Sequence, residues 1–266
     1  MNIINTLLPI SVLQRDYEIE CQLLAPEKTD RPLIVFLHEG LGSVALWRDW
    51  PRQLCEIANC RGLVFSRYGY GNSTPRPVDE KWPVSYMHTQ TQHFLPAIFE
   101  GLGLQNERPI FYGHSDGGSI ALLYAAMFPE KTAAIAVAAP HIFVEDITVS
   151  SIEQARQAYL TTDLPKRFAP YHQNPDLTFW AWNDIWLNPA FKQWNIEAYL
   201  PKIQCPVLAI QGEDDEYGTL EQIRGIYGVV KNSELFIISN CRHSPHKDQP
   251  AQLNEAFLKF INKVNP

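Results

Sequence analysis

The residues of this 266-residue chain best suited to covalent chemistry lie in Ile110-Phe111-Tyr112-Gly113-His114-Ser115-Asp116-Gly117-Gly118-Ser119-Ile120-Ala121. An apolar run leads into Gly-x-Ser-x-Gly, and a segment rich in small residues follows that reads as a helix packed closely on its neighbours. A serine at such a strand-to-helix turn is held in a strained backbone conformation with its hydroxyl pushed out of the sheet. Glycines at 113 and 117 remove side chains that would collide there. At the helix N-terminus, backbone N–H groups and the positive end of the dipole would favour an oxyanion developing beside Ser115. A serine hydroxyl is a poor nucleophile until an adjacent imidazole takes its proton, and a buried carboxylate must then orient that imidazole. A tight turn with a capping serine would show the same five letters, so the flanking elements decide between the two readings.

Those elements are short apolar runs, each ending in a glycine-rich or polar turn: Leu33 to Leu37, Leu63 to Phe65, Ile110 to Tyr112, Ala134 to Ala138, Val207 to Ile210 and Leu235 to Ile238. Most are separated by segments long enough for a helix, which is the rhythm of βα units. Their continuous apolarity predicts parallel strands covered on both faces. The first 30 residues predict one or two antiparallel edge strands, such as Tyr17 to Leu24. The rhythm stops between about Pro140 and Lys202, where Phe179, Trp180, Trp182, Trp186 and Trp194 crowd together. This stretch predicts a helical insertion over the sheet, dividing a core of residues 1–139 and 204–266 by a cap of residues 140–203.

In this arrangement the chain resembles the α/β-hydrolase family over nearly its whole length. The resemblance implies an α/β fold with a mostly parallel central sheet flanked by helices, a helical cap, and a triad in the order nucleophile, acid, histidine. Gly212-Glu213-Asp214-Asp215 is similar to the family's Gly-x-x-Asp turn, and the match falls on Asp215, with Asp214 as the alternative acid. Cys241-Arg242-His243-Ser244-Pro245 resembles Gly-His-x-Pro, with Arg242 in the glycine's place. The match falls on His243, with His246 as the alternative base. His38-Glu39-Gly40-Leu41-Gly42-Ser43 is similar to the oxyanion loop, although Glu39 replaces the usual glycine. The resemblance implies that the backbone N–H groups of Gly40 and Asp116 bind the oxyanion, with Leu41 as the alternative to Gly40. Arg67-Tyr68-Gly69-Tyr70-Gly71-Asn72-Ser73 resembles a structural turn of the family, in which Arg67 bonds nearby carbonyls. In such proteins the cap shapes the pocket, which makes Phe143, Trp180, Trp186 and Trp194 candidate substrate-binding walls.

Composition removes other classes. Twenty-two Lys and Arg against 29 Asp and Glu give a net charge of −7, with no block of like charges. No footprint for nucleic acid or an anionic membrane is expected. Five cysteines without a CxxC pair read as reduced thiols. The absence of an apolar leader or an 18-residue apolar run makes a cytoplasmic location the expectation. Neither a His-x-x-x-His metal motif nor a phosphate-binding glycine loop occurs, so no cofactor or metal is expected. The function expected is hydrolysis of a small or medium, apolar or aromatic carboxylic ester through an acyl-enzyme. Acidity at Glu39 and Asp116, without an arginine clamp, predicts an uncharged or weakly charged small-molecule substrate. The same triad serves carbon–carbon bond hydrolysis of ring-fission products or β-diketones, and thioester, amide or lactone cleavage. A ligand-binding protein on a hydrolase scaffold is the reading from another class, and the oligomeric state is left open.

Overall fold

The chain opens with a hairpin of two ten-residue strands, β1 (Ile3–Val12) and β2 (Arg15–Leu24). Its two-residue turn places Leu13 and Gln14 at φ +49° and +63°. Two left-handed residues match the twist of paired strands, a geometry usually signalled by Asn-Gly. The computed structural model describes residues 1–264. After β2 come β3 (Leu33–Leu37), the short helix α1 (Val44–Trp47), α2 (Trp50–Ile57) and β4 (Arg61–Phe65). Helix α3 (Tyr86–Thr89) passes through a π-helical turn at Gln90–Phe94 into α4 (Leu95–Gly101). Then follow β5 (Ile110–His114), α5 (Asp116–Met127), β6 (Ala134–Ala138), and three helices, α6 (Asp146–Thr161), α7 (Leu164–Phe168) and α8 (Pro175–Trp186). The chain returns through β7 (Val207–Gly212), α9 (Glu221–Val229), β8 (Ser233–Ile238), α10 (Pro245–Asp248) and α11 (Pro250–Val264).

All eight strands join one sheet in the order β1-β2-β4-β3-β5-β6-β7-β8. Strand β2 runs antiparallel to both neighbours, and β4 through β8 pair in parallel. Side chains alternate between the two faces of a strand, so each apolar run feeds two cores. Leu33, Val35 and Leu37 enter the core shared with α4, α5 and the helices after β6. Ile34 and Phe36 enter the opposite core beneath α2 and α11. Helix α5 is buried at every position from Asp116 to Ala126, which fits its lack of a polar face. Strand β8 departs from expectation: it is the sheet edge, Ile237 is 39% exposed, and only Ile238 is fully buried. An apolar run alone cannot distinguish an edge strand from a central one.

Because β3 through β8 are parallel, their C-terminal ends share one rim, and the turns after β3, β4, β5, β7 and β8 meet there. Ligands of open α/β sheets bind at such rims. The helices between β6 and β7 cross this rim and are tied to its loops. Thr178 Oγ1 donates to the Gly69 carbonyl at 2.7 Å. His172 accepts from the Gly71 N–H at 2.9 Å and donates to the Leu41 carbonyl at 3.1 Å. Burial pushes the His172 pKa down to about 4, which keeps the ring neutral for this double role. The hydroxyls of Thr148 and Ser151 on α6 donate to the Tyr217 and Glu216 carbonyls. Among the described residues no helix is long and apolar enough to cross a membrane, and no group of three His, Cys, Asp or Glu is placed to hold a metal ion. The five cysteines are free and buried.

Candidate active site

Strand β5 ends at His114 and α5 starts at Asp116, so the whole reversal falls on Ser115, at φ +52° and ψ −118°. This left-handed conformation costs a residue with a β-carbon about 1–3 kcal/mol. It persists because the surroundings leave no other path. A β-carbon at Gly113 would run into the Gly117 carbonyl, and one at Gly117 into the Leu37 carbonyl of β3. The Ser115 N–H is held by the Ala138 carbonyl at 2.9 Å. Its hydroxyl does not cap the helix, which separates this turn from the capping-serine reading.

His243 and Asp215 meet across the ends of β8 and β7. His243 Nδ1 lies 2.8 Å from Asp215 Oδ1, and since a carboxylate only accepts, this nitrogen carries the proton and Nε2 presents a lone pair. Asp215 also accepts from the Tyr217 N–H at 2.9 Å and from Gln211 Nε2 at 3.1 Å. Burial acts to raise its pKa, but His243 and the Tyr217 N–H outweigh it and hold the carboxyl below its ordinary range. Burial would lower the His243 pKa, yet Asp215, with Glu216 and Glu39 behind it, raises it. Asp214 is exposed. His246 is buried against Trp47 and Trp50, with centroids 4.8 and 5.5 Å away, and burial keeps its pKa well below normal. The histidine loop is pinned on both sides: His243 N–H donates to Glu216 at 3.2 Å, and His114 Nε2 donates to the His243 carbonyl at 2.7 Å. Arg242, in the family's glycine position, extends to solvent and pairs with Glu216 at 2.9 Å.

The loop after β3 is aimed by its carbonyls. The Glu39 carbonyl accepts from His38 Nδ1 at 2.7 Å, from Arg67 Nη2 at 2.9 Å and from the Gly42 N–H at 3.0 Å. His38 can donate there because its Nε2 accepts the Arg67 N–H at 3.0 Å, and burial beside Arg67 keeps the ring neutral. In a planar trans peptide the N–H points opposite to the carbonyl. Fixing the Glu39 carbonyl inward therefore turns the Gly40 N–H the other way. A β-carbon at Gly40 would overlap the Trp182 indole.

Ser115, His243, Gly40 and Leu41 line one cavity of about 210 Å³ with Glu39, His114, His141, Thr148, Ile152, Trp182, Trp186, Glu216, Tyr217 and Ser244. Of the four aromatic walls expected from sequence, only Trp186 is in it. Trp180 packs outside on Tyr159 and Phe179, Trp194 stacks on Phe191, and Phe143 sits in a backbone bridge to Asn195. The reason is helical phase: Trp182 and Trp186 are four apart and share one face of α8, whereas Trp180 is two before Trp182 and faces away. The acidity expected beside the nucleophile is also half of what the sequence suggests. Asp116 turns its carboxylate away from the cavity, to the Tyr86 hydroxyl at 2.8 Å and to buried Arg67 at 3.4 Å.

A family model described as alpha/beta hydrolase family matches residues 34–256. The chain belongs to that family. It is 27% identical to the bifunctional esterase/perhydrolase DCH of Acinetobacter calcoaceticus, over 87% of this chain and 92% of the relative. It is 24% identical to the AB hydrolase superfamily protein YisY of Bacillus subtilis, over 86% of this chain and 91% of the relative. A thermophilic esterase from Thermogutta terrifontis superposes with a TM-score of 0.71 at 15% identity, covering 100% of both chains, which is a likeness of fold.

In this α/β hydrolase, Trp182, His141, Thr148, Ile152 and Tyr217 line the cavity without a motif to announce them. Only the i, i+4 spacing of Trp182 and Trp186 carried a signal. Arg67 joins the turn after β4 to helix α5 and to the loop after β3 at once, with its guanidinium 4.8 Å from the Tyr70 ring centre. Replacing it with methionine strands the buried Asp116 carboxylate. Arg67→Met is expected to lose about 3–5 kcal/mol of stability, and adding Asp116→Asn to recover a large part of it, as measured by urea unfolding of both variants.

Proposed function

We propose that this α/β hydrolase cleaves a small or medium carboxylic ester through an acyl-enzyme on Ser115. Ser115 Oγ attacks the carbonyl carbon while His243 Nε2 takes its proton, and Asp215 holds Nδ1–H and stabilises the imidazolium. The backbone N–H groups of Gly40 and Asp116 receive the oxyanion. Collapse expels the alcohol, protonated by His243, and water attacks the acyl group with His243 again as base. The segment 140–203 acts as the cap, closing the cavity with Thr148, Ile152, Trp182 and Trp186. The observation that carries this reading is the His243–Asp215 bond of 2.8 Å beside a serine strained to φ +52° on the same cavity. A volume of about 210 Å³ lies below the roughly 300–1,000 Å³ of drug-sized ligand sites, which favours a small acyl or alcohol group against the two indoles.

Labelling of the purified protein with a fluorophosphonate, followed by peptide mapping, tests nucleophile activation without a known substrate. A single adduct on Ser115 is expected. A folded sample that takes no label would overturn the hydrolase reading and favour a ligand-binding protein on the same scaffold.

A further inference from the structure

Glu39 stands where the family resemblance calls for glycine, directly before the amide assigned to the oxyanion, and it lines the same cavity as Ser115. Among the described residues no neighbour closes a hydrogen bond to its carboxylate. Lys247 Nζ is 3.9 Å away on a side chain 44% exposed, and His114 Nδ1 is 3.5 Å away without a formed hydrogen bond. Burial acts to raise the carboxyl's pKa, yet His114, Lys247 and His246 together hold it well below the carboxylate range, so it is ionised. A negative charge beside a developing oxyanion raises the barrier for an uncharged ester.

The rest of the lining shares this polarity. No lysine or arginine is among its lining residues, while Glu216, although paired with Arg242 at 2.9 Å, adds a second carboxylate. His141 donates through Nε2 to the Tyr217 carbonyl at 3.2 Å, and burial beside His243 keeps the ring neutral. Its Nδ1 is then a bare acceptor, buried and without a partner. Trp182 and Trp186 bring indole faces, which attract cations. Carboxylates, an unpaired acceptor and aromatic faces complement a donor with positive charge.

We propose that the substrate carries an ammonium group next to its scissile ester, bound by Glu39, and that this group cancels the field of Glu39 on the oxyanion. The proposal rests on the ester-hydrolase reading above and replaces the uncharged or weakly charged substrate expected from sequence with a cationic one. It predicts a reversal of sign. Glu39→Gln, which preserves shape, harms cationic esters and helps neutral ones.

Two matched pairs test it, each exchanging ammonium for an alkyl isostere. One is the 2-naphthyl ester of L-alanine against that of 2-methylpropanoate. The other is benzoylcholine against 3,3-dimethylbutyl benzoate. Fluorophosphonate titration first counts reactive sites in every variant, so failure of the hydrolase reading shows as an unlabelled parent protein, before any comparison is made. In at least one pair, the parent is expected to favour the cationic member by about tenfold or more in kcat/KM. Glu39→Gln should lose that preference and gain on the neutral member, and Glu39→Asp should retain it. An equal loss on both members, or no preference for the cation in either pair, overturns the proposal.

Discussion

Substituting alanine for Ser115 is expected to lower kcat on a hydrolysed ester by about 10⁴-fold or more, with the fold and melting temperature retained. In the proposed mechanism the hydroxyl supplies the bond-forming oxygen, and no other alcohol among the described residues has both the elbow position and His243 on the same cavity wall. Alanine keeps the β-carbon and with it the strained φ of +52°, so stability should not rise. Glycine relieves that strain, and Ser115→Gly is expected to be more stable than Ser115→Ala by about 1 kcal/mol, net of the greater freedom of its unfolded chain. Steady-state kinetics and urea unfolding of the two variants separate the contributions. Turnover persisting in purified Ser115→Ala would remove the serine from the mechanism.

Asp215→Asn is expected to reduce kcat by about 10⁴-fold near neutral pH, because an amide can donate to Nδ1 and leave the proton on the wrong ring nitrogen. The same change should move the pH profile. His243 must be neutral to accept the serine proton, so activity is lost as pH falls through its pKa. Asp215 raises that pKa above the ordinary histidine value, and the acid limb of kcat/KM therefore lies above about 6.5 in the parent protein. Removing the carboxylate's charge shifts the limb of any residual activity to lower pH. Asp214→Asn, on the exposed neighbour, should change neither the rate nor the profile. If Asp214→Asn gave the large loss and Asp215→Asn the small one, the acid would be reassigned.

The strand rhythm was readable because both faces of most strands are covered, and covered faces demand apolar residues at consecutive positions. Edges were less readable. The outer strand β1 leads into a turn made by Leu13 and Gln14 rather than by glycine or asparagine, and β8 carries the same apolar letters as a central strand while only its last residue is buried. Family glycines were replaced at Glu39 and Arg242, and both positions have ordinary negative φ, so the backbone tolerates side chains there. Their consequence depends on place: Arg242 extends outward to Glu216, whereas Glu39 is one of the residues that line the cavity.

By itself, the sequence determined the α/β order of elements and the elbow at Ser115, because steric exclusion at Gly113 and Gly117 and two-sided burial act over a few residues and leave a local imprint. Tertiary structure alone decided which of two adjacent aspartates bonds His243, that His246 belongs to the tryptophan cluster, that Asp116 pairs with Arg67 instead of facing the cavity, and that Trp182 lines the cavity where Trp180 does not. Each of these turns on the direction of a side chain relative to an element distant in the chain, and such directions are set by the packing of helices and strand ends against one another, which no short span of residues encodes.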